Sequence, residues 1–196
     1  IQEEESEMVL SLSLLKQRNS DVVGILIFDD KVIYEPIVQA PNNDYYVRKN
    51  IDKKYSAAGI PFISSECNLN SKNVVVYGHS SAQSVIIFTP LMNYVNKSYY
   101  TKHPTFKLEL ENSVREYQIF AVMGYDTKDV SDSLEFTQSS WRKDEDFIAF
   151  IDYAKQNSFY DTKVNVSAQD KIITLVTCDN RDFSKRVIVL AKLIKS

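Results

Sequence analysis

Two short runs, Lys171-Ile172-Ile173-Thr174-Leu175-Val176-Thr177-Cys178 and Arg186-Val187-Ile188-Val189-Leu190, constrain the fold of this chain more than any other feature. Both are β-branched and aliphatic and are bounded by polar residues, the pattern of buried strands rather than of a helix. Between them, Asp179 to Lys185 reads Asp-Asn-Arg-Asp-Phe-Ser-Lys, a loop composition, so the two strands are predicted to pair antiparallel. The end of the first strand and the start of the second then meet at one edge of a sheet, and Cys178 faces Arg186. A thiol beside a guanidinium is a candidate nucleophile with its charge stabiliser, because the thiolate is the reactive form and a nearby cation favours it. A buried structural cysteine with a surface arginine is the alternative, since free cysteine is among the most buried residue types.

A third group weighs against that alternative. Asn73-Val74-Val75-Val76-Tyr77 is another apolar run, and it leads into Gly78 and His79. A histidine can take or give a proton near neutral pH, although at a strand end it is often just a satisfied or exposed side chain. Taken together, Cys178, His79 and Arg186 each end or begin a strand, and they supply a nucleophile, a proton carrier and an oxyanion partner.

These residues resemble the sortases, cysteine transpeptidases that attach proteins to Gram-positive cell walls or pili. Thr174-Leu175-Val176-Thr177-Cys178 is similar to their Thr-Leu-x-Thr-Cys signature, Arg186 stands where their essential arginine follows, and Val76-Tyr77-Gly78-His79 is similar to their Tyr-Gly-His segment. Asn19-Ser20-Asp21-Val22-Val23-Gly24, Tyr34-Glu35-Pro36-Ile37-Val38-Gln39 and Asn43-Asp44-Tyr45-Tyr46 resemble class B members in particular. The chain departs from them at Ile25, in place of a usual Trp, at Gly59-Ile60-Pro61-Phe62-Ile63-Ser64, and at Asp179 after the cysteine.

The resemblance implies a mostly β fold with helices: a closed barrel of about eight strands, an N-terminal helix, and a helix inserted before the cysteine-bearing strand. It implies one catalytic domain over residues 1–196, with the helix at about 3–18 and the barrel at about 21–195. Cys178 would attack the carbonyl after a Thr in a sorting signal, His79 would protonate the leaving amine, and Arg186 would hold the oxyanion or orient the substrate. Thr177 would donate to the substrate or simply fill the strand. An amine of peptidoglycan or of a pilin would then take the acyl group, on the outer face of a Gram-positive membrane. A native N-terminal membrane anchor would precede Ile1. Two other readings stay open: a cysteine peptidase that gives the same intermediate to water, and a non-catalytic β-barrel adhesion module held by a Cys67–Cys178 disulfide.

The 196 residues suffice for one ordinary core, and 44% apolar residues with 4 Gly and 5 Pro exclude disordered and collagen-like classes. A net charge of -3 without a basic patch argues against nucleic acid as a partner. No apolar run approaches the roughly 18–20 residues of a bilayer span. The 2 Cys and 2 His lack metal-ligand spacing, and no cofactor is implied.

Elsewhere, Met8, Val9, Leu12 and Leu15 follow helical spacing behind Glu3-Glu4-Glu5. Residues 22–28 and 32–34 read as a hairpin that Glu35-Pro36 then breaks, and 57–63 as a further strand. Tyr45–Arg48 fits a helical turn or a short strand equally. Val85–Tyr94 reads as a short helix after the histidine. Thr105–Leu110 and Arg115–Val122 form a strand pair, with His103 a loop residue outside the chemistry. Phe147, Ile148, Phe150, Ile151 and Ala154 form a helical stripe behind Asp144-Glu145-Asp146. Cys67, in a polar stretch, reads as an incidental thiol.

Overall fold

The computed structural model describes residues 11–29, 31–39, 41–81, 87–126, 136–179 and 182–196; residues 178, 179 and 182–185 are described through their backbone. Eight strands close into a barrel in the order β1-β2-β3-β4-β7-β8-β6-β5. They are β1 (Val22–Phe28), β2 (Tyr34–Gln39), β3 (Phe62–Ile63), β4 (Asn73–Tyr77), β5 (Thr105–Glu109), β6 (Val114–Asp126), β7 (Ile172–Asp179) and β8 (Asp182–Lys195). The pairs β2/β3 and β4/β7 are parallel and the other six antiparallel. Closure leaves no free edge to manage.

Both faces of the sheet are buried near its start, which explains why β1 reads as an almost unbroken apolar run. Leu26 and Phe28 point into the barrel, where they join Val75, Phe106, Ile119, Leu175 and Ile188. Ile25 and Ile27 point the other way and meet α1 (Leu12–Arg18) through Leu12 and Leu15. The expected helix at 3–18 is seen over Leu12–Arg18; residues 1–10 lie outside the described residues. A second helix, α2 (Lys97–Lys102), follows a 3-10 helix over Thr89–Val95, and α3 (Asp144–Gln156) lies between β6 and β7. Phe147, Phe150, Ile151 and Ala154 are the buried face of α3, and the Trp141 ring lies 4.9 Å from both Phe147 and Phe150. Each such fully buried aliphatic or aromatic side chain is worth about 1.5–3 kcal/mol over its exposed state. That packing fixes the inserted helix against the barrel.

Several local expectations change. The strand after the first turn runs through Pro36 to Gln39 instead of stopping at Tyr34, because the ladder with β3 begins only at Val38. The missing Pro36 N–H therefore costs no bond on that side. The strand read at 57–63 shrinks to Phe62–Ile63, since residues 41–59 form turns with a single bridge between Lys49 and Tyr55. The helix placed at 85–94 is a 3-10 helix from Thr89, with 82–86 outside the described residues. Asp182–Lys185, expected in a loop, extends β8, where Lys185 pairs with Asp126 of the long strand β6. The neighbouring strand decides that stretch despite its polar composition. Cys67, read as an incidental thiol, is free, and although its stretch is polar it is buried in the core, where it accepts from the Val75 N–H.

Candidate active site

Three neighbouring strands carry the candidate residues to one end of the barrel. In the antiparallel pair β7/β8, Cys178 is the register partner of Arg186, as the strand reading required. In the parallel pair β4/β7, Val76 lies beside Leu175 and Tyr77 beside Val176. The Gly78 N–H donates to the Val176 carbonyl at 3.1 Å and carries the ladder one step further. His79 thus leaves β4 level with Cys178. Gly78 is required for close approach: a Cβ there would lie 2.5 Å from the ring of Phe88, which is fully buried.

A cleft of about 290 Å³ opens at this end, lined among others by His79, Thr177 and Arg186. Its opposite wall comes from the 41–62 crossover, through Asn43, Val47, Ile60 and Phe62. The His79 Nε2–H donates to the Val47 carbonyl at 2.9 Å, which selects the tautomer that leaves Nδ1 as the remaining ring nitrogen. Partial burial lowers the imidazole pKa from its usual 6.5; the Val47 bond opposes this, and the charges of Arg48 and Arg186 add to it. Burial also pushes Tyr77 up to about 12, so it stays a neutral phenol. Thr177 is 1% exposed, and its hydroxyl has no hydrogen-bond partner among the described residues. Buried hydroxyls are normally satisfied, so this one stands out at a residue that borders the cleft.

The Sortase domain family model matches residues 37–194. The chain is 35% identical over 185 residues to Sortase B of Listeria monocytogenes, covering 92% of this chain and 72% of that protein. The chain belongs to the sortase family. Its fold agrees at class level too: Clostridium perfringens sortase B superposes with a TM-score of 0.86 and 27% identity, over 94% of this chain and 100% of that one. A Staphylococcus aureus sortase B–substrate complex does so with a TM-score of 0.83 and 26% identity, over 94% and 84%. This is a class B sortase, a cysteine transpeptidase with a closed eight-stranded barrel.

The sequence reading named His79, Thr177, Cys178 and Arg186, and the fold of this sortase brings these positions together. His103 stands apart, at the end of α2 with its ring 4.7 Å from that of Tyr99. The wall contributed by Asn43, Val47, Ile60 and Phe62 was not recognised as part of a site. The Asn43–Tyr46 resemblance to class B sequences was the available signal, but Val47 acts through its backbone carbonyl, which leaves no mark in a sequence.

Proposed function

We propose that this sortase cleaves the sorting signal of a surface protein and passes the acyl group to an amine, with Cys178 as nucleophile. The observation that carries the reading is the strand register, which sets Cys178 opposite Arg186, with His79 just past the end of the adjoining strand β4, beside the cleft that His79 and Arg186 line. The Cys178 thiolate attacks the carbonyl carbon, and the C–N bond breaks with its electron pair leaving on nitrogen. His79 as imidazolium gives that nitrogen a proton. The incoming amine attacks the thioester, the C–S bond breaks, the thiolate returns, and the amine proton goes to His79. Burial and two guanidinium groups disfavour the imidazolium, so it is the negative charge of a thiolate at position 178 that would sustain it. Arg186 stabilises the oxyanion with a planar pair of donors. Thr177, whose hydroxyl has no partner among the described residues, donates to the bound peptide.

Solved relatives include a sortase B–substrate complex and a sortase B complexed with triglycine, which supports a peptide donor and an amine acceptor for this enzyme. The whole chain serves as one catalytic domain, and we place it on the outer face of a Gram-positive membrane, held by an N-terminal anchor. No helix among the described residues is long enough and apolar enough to cross a membrane. Because Cys67 is a free thiol, the adhesion-module reading loses its disulfide. Incubating the enzyme with a sorting-signal peptide library, with and without triglycine, tests the function. Amine-dependent products identify the transpeptidase; free acid alone, unaffected by amine, would make it a hydrolase.

A further inference from the structure

The Val47 carbonyl that holds His79 belongs to a crossover segment with little regular structure of its own. What holds that segment is Tyr46, whose side chain is completely buried between the barrel and α1. Its hydroxyl accepts from Asn19 Nδ2 at 2.7 Å and donates to Asp21 Oδ2 at 2.7 Å. Asn19 is itself 4% exposed, ends α1, and also donates to the Ile51 carbonyl at 2.9 Å. Asp21 receives Lys53 Nζ at 3.0 Å, and Arg18 pairs with Asp52, so three residues around the α1–β1 junction grip the crossover. On its far side the Val47 carbonyl is backed by Gly59, at φ +66°, where a Cβ would lie 2.6 Å from the oxygen. The carbonyl thus sits in a fitted slot between Gly59 and the imidazole.

We propose that Tyr46, locked by Asn19 and Asp21, is a positioning residue for His79, acting through the Val47 carbonyl and linking α1 to the catalytic cleft. This rests on the reading of His79 as the proton carrier. Tyr46 touches neither substrate nor reacting atoms; it sets the place of its neighbour's carbonyl, and the carbonyl sets the tautomer and aim of the ring. The tether also favours the protonated ring, because the Nε2–H donates to an acceptor. The guanidinium groups of Arg48 and Arg186 also act on the imidazole, Tyr77 shares its cleft, and Cys178 holds the adjoining register position. Arg186, Tyr77 and Cys178 belong to the barrel strands rather than to the crossover, whereas Arg48 follows Val47 on it and moves with the tether.

The test is Tyr46→Phe, which keeps the buried ring and removes both hydroxyl bonds, with Asp21→Ala and Asp21→Asn as a second pair. Asp21→Asn retains an oxygen to accept from Tyr46, so it should behave more like the parent. With 2 histidines in the chain, labelled-histidine NMR resolves both imidazoles, and His103 is the internal control. In Tyr46→Phe and Asp21→Ala, His79 should titrate at lower pH than in the parent while His103 is unmoved. The value of kcat/KM should fall on the order of tenfold, less than the roughly hundredfold that a 1 Å misplacement can cost, and Asp21→Asn should recover most of it. An unchanged His79 titration in folded Tyr46→Phe and Asp21→Ala overturns the proposal, whatever activity does. The imidazole signals report even if the parent transfers no peptide, so a failed function reading is told apart from a failed tether.

Discussion

Replacing Thr177 with Val should make the protein more stable and the enzyme worse. Thr177 is 1% exposed and its hydroxyl has no partner among the described residues, so among them nothing compensates its desolvation. Such a group costs about 1–3 kcal/mol, and an apolar replacement of similar shape removes that cost. Val also suits a strand position, here beside Val187 in the β7/β8 ladder. For a chain of this size about 1 kcal/mol corresponds to about 2–4 °C in Tm, so Thr177→Val should melt about 2–12 °C higher. The same change deletes the donor proposed for the bound peptide, a loss of about 0.5–1.5 kcal/mol, or roughly two- to tenfold in kcat/KM. Thermal melts and steady-state transfer assays on one preparation read both. A Thr177→Val protein that melts lower than the parent would refute the orphan-hydroxyl reasoning. One that melts higher with full activity would keep the stability argument and remove Thr177 from substrate binding.

Gly78→Ala should cost about 1–3 kcal/mol by overpacking against Phe88, and Phe88→Leu should offset part of that in the double variant; urea melts check both. Because the His79 pKa is lowered in the fold, its contribution to stability is present above about 6.5 and declines as pH falls through the lower folded value. His79→Gln should therefore flatten the stability–pH curve just below that point. Asp21, held below its usual 3.8 by Tyr46 and Lys53, makes a separate contribution that is lost only in more acidic solution. Arg186→Lys should lower transfer despite the conserved charge, by up to about a hundred- to thousandfold if its fork binds the oxyanion. A small neutral alkylating reagent should still label Cys178 at a near-normal rate; labelling that falls in step with transfer would assign Arg186 to thiol ionisation.

What the sequence revealed follows from how locally each feature is encoded. The antiparallel pairing of 171–178 with 186–190 needs only two β-branched runs and a short connection, and Cys178 does pair with Arg186. The stripe Phe147–Ala154 has an unmistakable period and is α3. By contrast, β3 has two residues and no period to read. Its neighbour β2 passes through a proline that is tolerated only because β3 is so short there. The parallel β4/β7 pairing that delivers His79 joins residues about a hundred positions apart, and nothing local specifies it. The far wall of the cleft depends on backbone atoms and on the Asn19–Tyr46–Asp21 network, whose members look like ordinary turn residues until the fold assembles them.

The most direct test of the account is to trap the covalent intermediate. A sorting-signal peptide is mixed with the enzyme, quenched in acid, and the protein is digested and mapped by mass spectrometry. The account predicts an acyl adduct on Cys178 in the parent and in Cys67→Ser, its disappearance on adding an amine, and no adduct in Cys178→Ala. An adduct on Cys67, or amine-dependent transfer that survives in Cys178→Ala, would contradict it.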